Sequence, residues 1–479
     1  MTGLGLGLLV SVMVASTQTV APVSGGNALT LPAQRHVVRV AGRYVLALQQ
    51  GGQQGRTLGL FRSSDGQSWS YLGSLPGTAR TDRADLVAVG NDIALVYSME
   101  TPDSAGINGS TEHDVYFQWW RYSASRGTWS PDRPLRVFDS RSNSTAYYRA
   151  ELARDSRGRL WVQAFKKESN GRSSVAIAVS TDSGNTFREQ PLLDSGLPNR
   201  GGGRLLALGK KLVVVYDTHG TGFTTRYRVR DDSAPLSSWQ SARTAFGESI
   251  YHGAALSAVA DGSGGMHLVY KDDAERLRYR HFNGSSFGEP RIIESQGDWA
   301  LQPAITRQGS DLVIFYNRPR GGQRYDLVVR RLRGSTLSSA IVLDGSSTFK
   351  GYPNAVETLS SGMSVPVLFG NAPDAASAGQ VRVSFAPSSS SRSMSDTDDA
   401  DSPAAALGGS GTGGSGGGGA LAASSGGNAG SVDMMPEMGC GGGTAAMVAL
   451  PFTLLGLLWM QRAGRREEMA RLAPVRVRS

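Results

Sequence analysis

Cysteine is almost missing from this sequence: Cys440 is the single one in 479 residues. That excludes an internal disulfide framework and any metal site built from several thiolates. Charge is also sparse, at 19% of residues, and much of the formal net charge of +9 is confined to one end. Residues 462–479 hold Arg462, Arg465, Arg466, Arg471, Arg476 and Arg478 against only Glu467 and Glu468. The other Lys and Arg residues are scattered, so no basic stripe argues for nucleic acid. The 6 histidines show neither H-x-x-x-H nor H-E-x-x-H spacing, and no G-x-S-x-G turn follows a strand and opens a helix. Zinc-hydrolase and nucleophile-elbow chemistry are therefore disfavoured, and no motif asks for a cofactor or metal. What the chain has in quantity is glycine, 62 residues, beside 39% apolar and 8% aromatic residues. That mixture supplies a core and many turns, and it argues against a purely helical protein.

The two ends point to one compartment. Leu4–Val14 is an apolar run followed by the small or polar residues Ala15, Ser16 and Thr17. This is the order of a secretory hydrophobic region and its cleavage site, although the usual positive residues ahead of it are missing; a leader within residues 1–22 is expected. At the other end, Thr444–Met460 is an uncharged stretch bounded by Gly441–Gly443 and by the arginine-rich tail. Its length is at the short edge of the ~20 residues that span a bilayer. The arginines beyond it place the tail in the cytoplasm and everything upstream outside. Between these ends, residues 387–440 are rich in Ser, Gly, Ala and Asp, with too little apolar surface to offset the entropy of ordering, so a stalk is expected. Its acidic residues Asp396, Asp398, Asp399 and Asp401 fit no EF-hand spacing. The sequence Met438-Gly439-Cys440-Gly-Gly-Gly, the apolar segment and the arginine cluster together resemble the MYXO-CTERM sorting signal of myxobacterial and related surface proteins. The resemblance implies that residues 441–479 form a sorting signal, that Cys440 is the processing and anchoring position, and that the partners are the sorting machinery and the membrane.

The body, residues 27–386, repeats itself at a step of roughly 50 residues, as an array does. Its regular part is a short apolar run after a turn: Arg43–Leu48, Asp92–Tyr97, Arg159–Ala164, Lys211–Tyr216, Gly265–Tyr270, Asp311–Tyr316 and Gly362–Val367. Neighbouring segments such as Arg276–His281 alternate at period two, which marks strands with one buried face. Several strands per unit, repeated radially, make an all-β propeller. Seven units favour seven blades over six, with Asn27–Leu31 expected as the strand that closes the last one.

Two turns carry a family resemblance. Ser63-Ser-Asp65-Gly66-Gln-Ser-Trp69 and Ser180-Thr-Asp182-Ser-Gly184-Asn-Thr186-Phe187 are similar to the Asp-box of sialidase-type BNR repeats, and Ser123–Trp129 is a worn copy without its Asp. In such a turn the carboxylate accepts backbone N–H bonds, glycine adopts positive φ and the aromatic ring packs back between strands. These residues are structural and say little about chemistry.

A propeller places its ligands at the mouth of the central channel, where the chain enters the innermost strands. Those entries bring Arg35, Arg83, Tyr148, Arg149, His252 and Tyr352. Arginine forks suit carboxylates, and aromatic rings suit sugar faces. The sialidase resemblance would imply three arginines for a carboxylate, a tyrosine nucleophile with a glutamate, and an acid/base aspartate. Arg35 stands at the family's first arginine, but Gln34-Arg35-His36-Val37 lacks the family's Phe and Ile-Pro, and Gly51–Leu60, where the acid should lie, contains no carboxylate. Without a proton donor the leaving oxygen departs unprotonated, at a loss of roughly 10²–10⁴ in rate. Two readings stay open: a surface-anchored module binding a glycan or an extracellular protein, and a sialidase-like glycoside hydrolase.

Overall fold

The computed structural model describes residues 17–25, 28–50, 57–75, 81–99, 114–140, 145–168, 170–197, 201–217, 224–251, 255–295, 297–298, 301–375 and 377–387. The expected stalk, Cys440 and the apolar segment 444–460 lie outside these residues. Strands dominate, and the described residues contain no α-helix. They form seven sheets, one per repeat, arranged as the blades of a propeller and antiparallel except where Thr358–Leu359 pairs parallel to Pro303–Gln308.

The innermost strands of blades 1 to 7 are Val37–Val40, Thr81–Val89, Thr145–Arg154, Gly202–Leu208, Leu256–Ala260, Pro303–Gln308 and Phe349–Ala355. Each touches the next, and the seventh touches the first, so the ring is closed. The repeated apolar runs are the second strands, and most are buried along nearly their whole length. Each blade lies between two others, so both faces of a second strand meet protein and a continuous apolar run is required. The third strands vary: Ser173–Ser180 is buried throughout, whereas Leu277–Phe282 mixes buried and half-buried positions. The core is accordingly a set of apolar slices between successive blades: one joins Leu86, Leu95 and Trp120 to Val45 and Leu60, and another joins Leu152 and Val162 to Val96 and Phe117.

The third-to-fourth-strand turns of blades 1 and 3 use the expected chemistry. Asp65 Oδ1 accepts from the amides of Gln67 and Ser68 at 2.8 and 2.9 Å, and Trp69 Nε1 donates to the Gly66 carbonyl. Asp182 accepts from both the amide and the hydroxyl of Thr186, while Phe187 packs on Phe117 at 5.0 Å. Gly66 and Gly184 have φ of 77° and 87°, a conformation that a side chain disfavours. In the worn turn, Ser125 Oγ lies 3.1 Å from Ser123 Oγ where the carboxylate would be, and Trp129 bonds the Asn91 carbonyl instead.

Closure differs from the expectation in one respect. The strand that completes blade 7 is Gln18–Val23, which pairs antiparallel with Gly379–Ala386, and not Asn27–Leu31. Leu29 and Leu31 are buried, but they belong to a turn that leads from the rim to the channel. Apolarity alone could not separate the two segments; pairing requires an extended run with alternating sides, which Gln18–Val23 has through buried Ala21 and Val23. The propeller therefore takes in residues that the sequence placed within a leader.

Without Gln18–Val23, the edge of Gly379–Ala386 becomes an unpaired template for aggregation. We expect the variant A21D/V23D, which puts two charges into the blade 7 slice, to destabilise the fold by several kcal/mol, about 2–3 per buried side chain, and to shift the protein to aggregates in size-exclusion chromatography. A variant lacking residues 388–430 should melt like the parent.

Candidate functional site

An innermost strand has one edge in its sheet and the other turned to the axis, so some of its amides need partners from the neighbouring blade. Four such bonds recur. Asp85 Oδ2 accepts from Leu152 N at 2.7 Å, and Glu151 Oε2 from Leu205 N at 2.6 Å. Ser257 Oγ accepts from Ile305 N at 3.3 Å, and Asn354 Oδ1 from His36 N at 3.2 Å. Each links a blade to its successor.

The channel is filled by an ion network built on this ring. Arg35 grips Asp85 with its backbone amide at 2.7 Å and with Nε and Nη2 at 2.9 and 2.5 Å, and it also donates to the Leu152 carbonyl. Arg204 reaches across from blade 4 to the Ala33 carbonyl at 2.5 Å, bonds Glu357, and lies 3.4 Å from Asp85 and 3.8 Å from Glu151. Gln34 Nε2 donates to the Ala150 carbonyl at 2.8 Å, and Asn354 Nδ2 to the Gln34 carbonyl at 3.0 Å. Ala33–His36 thus touches blades 2, 3, 4 and 7 and plugs the channel. Burial opposes ionisation of Asp85, but Arg35 and then Arg204 hold its carboxyl below the ordinary range. Glu151 goes the other way: burial, with the negative charge of Asp85, outweighs Arg204 and pushes it up to about 8. With Glu151 protonated, two guanidinium groups face the two carboxylates of Asp85 and Glu357, and the plug is neutral.

Arg35 is therefore engaged by carboxylates within the fold, and its partner guanidinium is Arg204. Tyr148 and Arg149 lie on a β-bulge of the blade 3 inner strand, where the pairing register shifts between Tyr148 and Glu151. The Arg149 backbone is left-handed, φ 52°; Nη1 donates to the Gly201 carbonyl at 2.7 Å, and the guanidinium lies 5.8 Å from the Tyr148 ring centre. The Tyr148 hydroxyl meets Ser173 Oγ and accepts from Gly201 N, both at 3.1 Å. Tyr352 has the same left-handed φ, 52°, on the corresponding bulge of blade 7 and packs against Phe349. Arg83 is on the bulge of the blade 2 inner strand, with its side chain outside what is described, and His252 lies outside the described residues. A non-glycine residue in this conformation costs of order 1–3 kcal/mol and persists only where its surroundings enforce it.

Three further features were not singled out in the sequence. Lys271, fully buried at the end of an apolar strand, places Nζ 3.6 Å from the Tyr251 ring centre and donates to the Asp298 carbonyl at 3.0 Å; burial lowers its pKa to about 7. Its signal was a charged residue directly after Met266–Tyr270. Two of the scattered histidines meet on blade 5: His267 and His281 stack with centres 4.9 Å apart, and His281 bonds Asp261. Burial, with His281, pulls His267 down to about 4. Among the described residues no group of three or more His, Cys, Asp or Glu side chains is placed to hold a metal ion.

The third feature bears on turnover. Tyr216, Tyr270 and Tyr316, each closing an apolar second strand, donate to Asp194, Glu248 and Glu294 at 2.7, 2.6 and 3.1 Å. Each carboxylate belongs to the outer part of the preceding blade. Burial, then the carboxylate, raises the hydroxyl of Tyr216 and of Tyr270, so both stay protonated; burial and the Glu294 charge do the same for Tyr316. A pairing that recurs at one register in blades 4, 5 and 6 is a brace between blades.

The plug predicts a pH dependence. Glu151 binds its proton more tightly in the fold than at the ordinary carboxylate value of 4.5, so its ionisation weakens the fold as pH rises from about 4.5 through about 8. The neutral variant E151Q keeps an oxygen for Leu205 N and should show a flatter melting temperature between pH 5 and 8.5. Equal slopes in parent and variant would contradict the assignment. Arg35→Ala, which leaves Asp85 buried with one cation fewer, should cost about 3–5 kcal/mol.

No family model matches the sequence, and no curated protein resembles it significantly. Among solved structures, a polysaccharide lyase, an ulvan lyase bound to -[GlcA(1-4)Rha3S]-, matches with a TM-score of 0.53 at 11% identity, over 77% of this chain and 95% of that one. A Trypanosoma rangeli sialidase matches with a TM-score of 0.41 at 14% identity, over 67% of this chain and 56% of that one. The Hadza microbial sialidase Hz136 matches at 0.44 and 12%, over 74% and 65%. This chain thus spans little more than half of the Trypanosoma protein and about two thirds of the Hadza one. Identity this low speaks to the fold, and the fold held in common is the β-propeller.

Proposed function

We propose that this protein is an exported propeller that binds a glycan, anchored at the cell surface through the segment that contains Cys440. The observation that carries the reading is the use made of the polar groups. Arg35 and Arg204 are neutralised inside the plug, and the three tyrosine–carboxylate couples brace blades. A sialidase-like hydrolase would need such groups free for substrate. Where the chain enters the inner strands, Arg149 packs against Tyr148 and Lys271 against Tyr251, but Arg149, Tyr148 and Lys271 are buried, so these pairs also belong to the framework. The likeness in fold to a lyase whose structure holds -[GlcA(1-4)Rha3S]- supports a glycan as the class of ligand.

The test is the purified full chain on a glycan array, with a fluorogenic sialoside run in parallel. We expect retention of acidic glycans without release of fluorophore. Turnover of the sialoside would overturn the binding reading in favour of the hydrolase. For the anchor, Cys440→Ala or deletion of Thr444–Ser479 should move the propeller into the medium or leave it unprocessed. Unchanged surface retention in both would remove the anchor from the proposal.

A further inference from the structure

We propose that the exported chain is cut between Ala15 and Thr17, so that the strand closing the propeller lies at the mature amino terminus. The inference rests on the export reading above. It starts from the pairing of Gln18–Val23 with Gly379–Ala386 in the register Gln18↔Val383 to Val23↔Gly379. Ala21 and Val23 are 3% and 6% exposed and belong to the same apolar slice as Val365, Val367 and Val381. Two polar contacts reinforce the pairing: Thr19 Oγ1 donates to Gln380 Oε1 at 2.9 Å, and Arg382 Nη2 donates to the Thr17 carbonyl at 3.1 Å. The fold uses the chain from Thr17 onward.

The leader's apolar run ends at Val14. Only Ala15, Ser16 and Thr17 separate it from the strand, and these are the small residues that leader-removing peptidases accept. The sequence offers other small residues downstream, Ala21 and Ser24–Gly26. Cutting there would remove part or all of the closing strand, and Pro22 would be the residue after Ala21. The structure therefore selects the upstream position.

The same spacing makes the cut a release step. Three extended residues reach about 10 Å. A leader left in the membrane would hold the outer edge of blade 7 within that distance of the bilayer, independently of any anchor at the other end. The reaction is hydrolysis by a membrane peptidase acting in trans. Water adds to the carbonyl carbon of the residue before the cut, the C–N bond breaks, and the departing nitrogen takes the proton to become the new amino terminus.

The experiment expresses the full chain in an exporting bacterial host and determines the amino terminus of the material outside the cytoplasm by mass spectrometry. We expect Ser16 or Thr17. Exported protein that begins elsewhere, or keeps its leader, overturns the proposal and leaves export standing. Protein confined to the cytoplasm removes the export reading and this inference with it. A second comparison deletes Thr444–Ser479 from the parent and from A15L/S16L/T17L. The parent deletion should be soluble outside the cytoplasm and the triple variant membrane-bound at the mass of the uncut chain. A triple variant that is cut and released like the parent overturns the proposal.

Discussion

The amides of an innermost strand that point at the channel have no sheet partner, and the way they are satisfied sets the character of the whole propeller. Asp85, Glu151, Ser257 and Asn354 each accept an N–H from the next blade, so the polar groups of the inner ring hold the blades in order. Two of the four are carboxyls, buried where an isolated charge is costly. Arg35 and Arg204 answer that cost, and their reach across the axis draws Ala33–His36 into the channel as a plug. The polar groups of the channel are consequently engaged in holding the blades together.

The rim owes its character to β-bulges. In blades 2, 3 and 7 the inner strand carries one extra residue near its start, and in blades 3 and 7 that residue, Arg149 or Tyr352, is held left-handed. A bulge re-aims the side chains around it without disturbing the ladder below. The large side chains at the bulges of blades 3 and 7, Tyr148, Arg149 and Tyr352, are buried, while Asp85, Glu151 and Asn354 keep their places in the ring.

What the sequence disclosed follows from which interactions are local. The seven apolar runs were legible because a second strand is buried on both faces and has to be apolar along its middle, as Leu212–Tyr216 is. The turns at Asp65 and Asp182 were legible because donors and acceptor lie within four residues of one another. Arg35 could be placed at the entry to the first inner strand, but its partners could not: Asp85 lies 50 residues away and Glu357 more than 300. The bulges also shift the register there, so counting along a repeat does not align Arg149 with its neighbours. Lys271 was hidden for a different reason: a lysine at a strand end ordinarily faces water, and only the packing of Tyr251 and the Asp298 carbonyl over it reveals otherwise.

The closing pair also has a mechanical meaning. The chain leaves the propeller at Pro387, directly after Gly379–Ala386, and that strand is bonded along one edge to Val365–Ala372 and along the other to Gln18–Val23. Tension applied beyond Pro387 enters blade 7 through a strand held on both sides. One of those sides is Gln18–Val23, from near the amino-terminal end of the sequence, so load on the last strand is passed to the first through a single ladder. Fraying blade 7 under load would require two ladders to fail, where a terminal strand placed at the edge would require one.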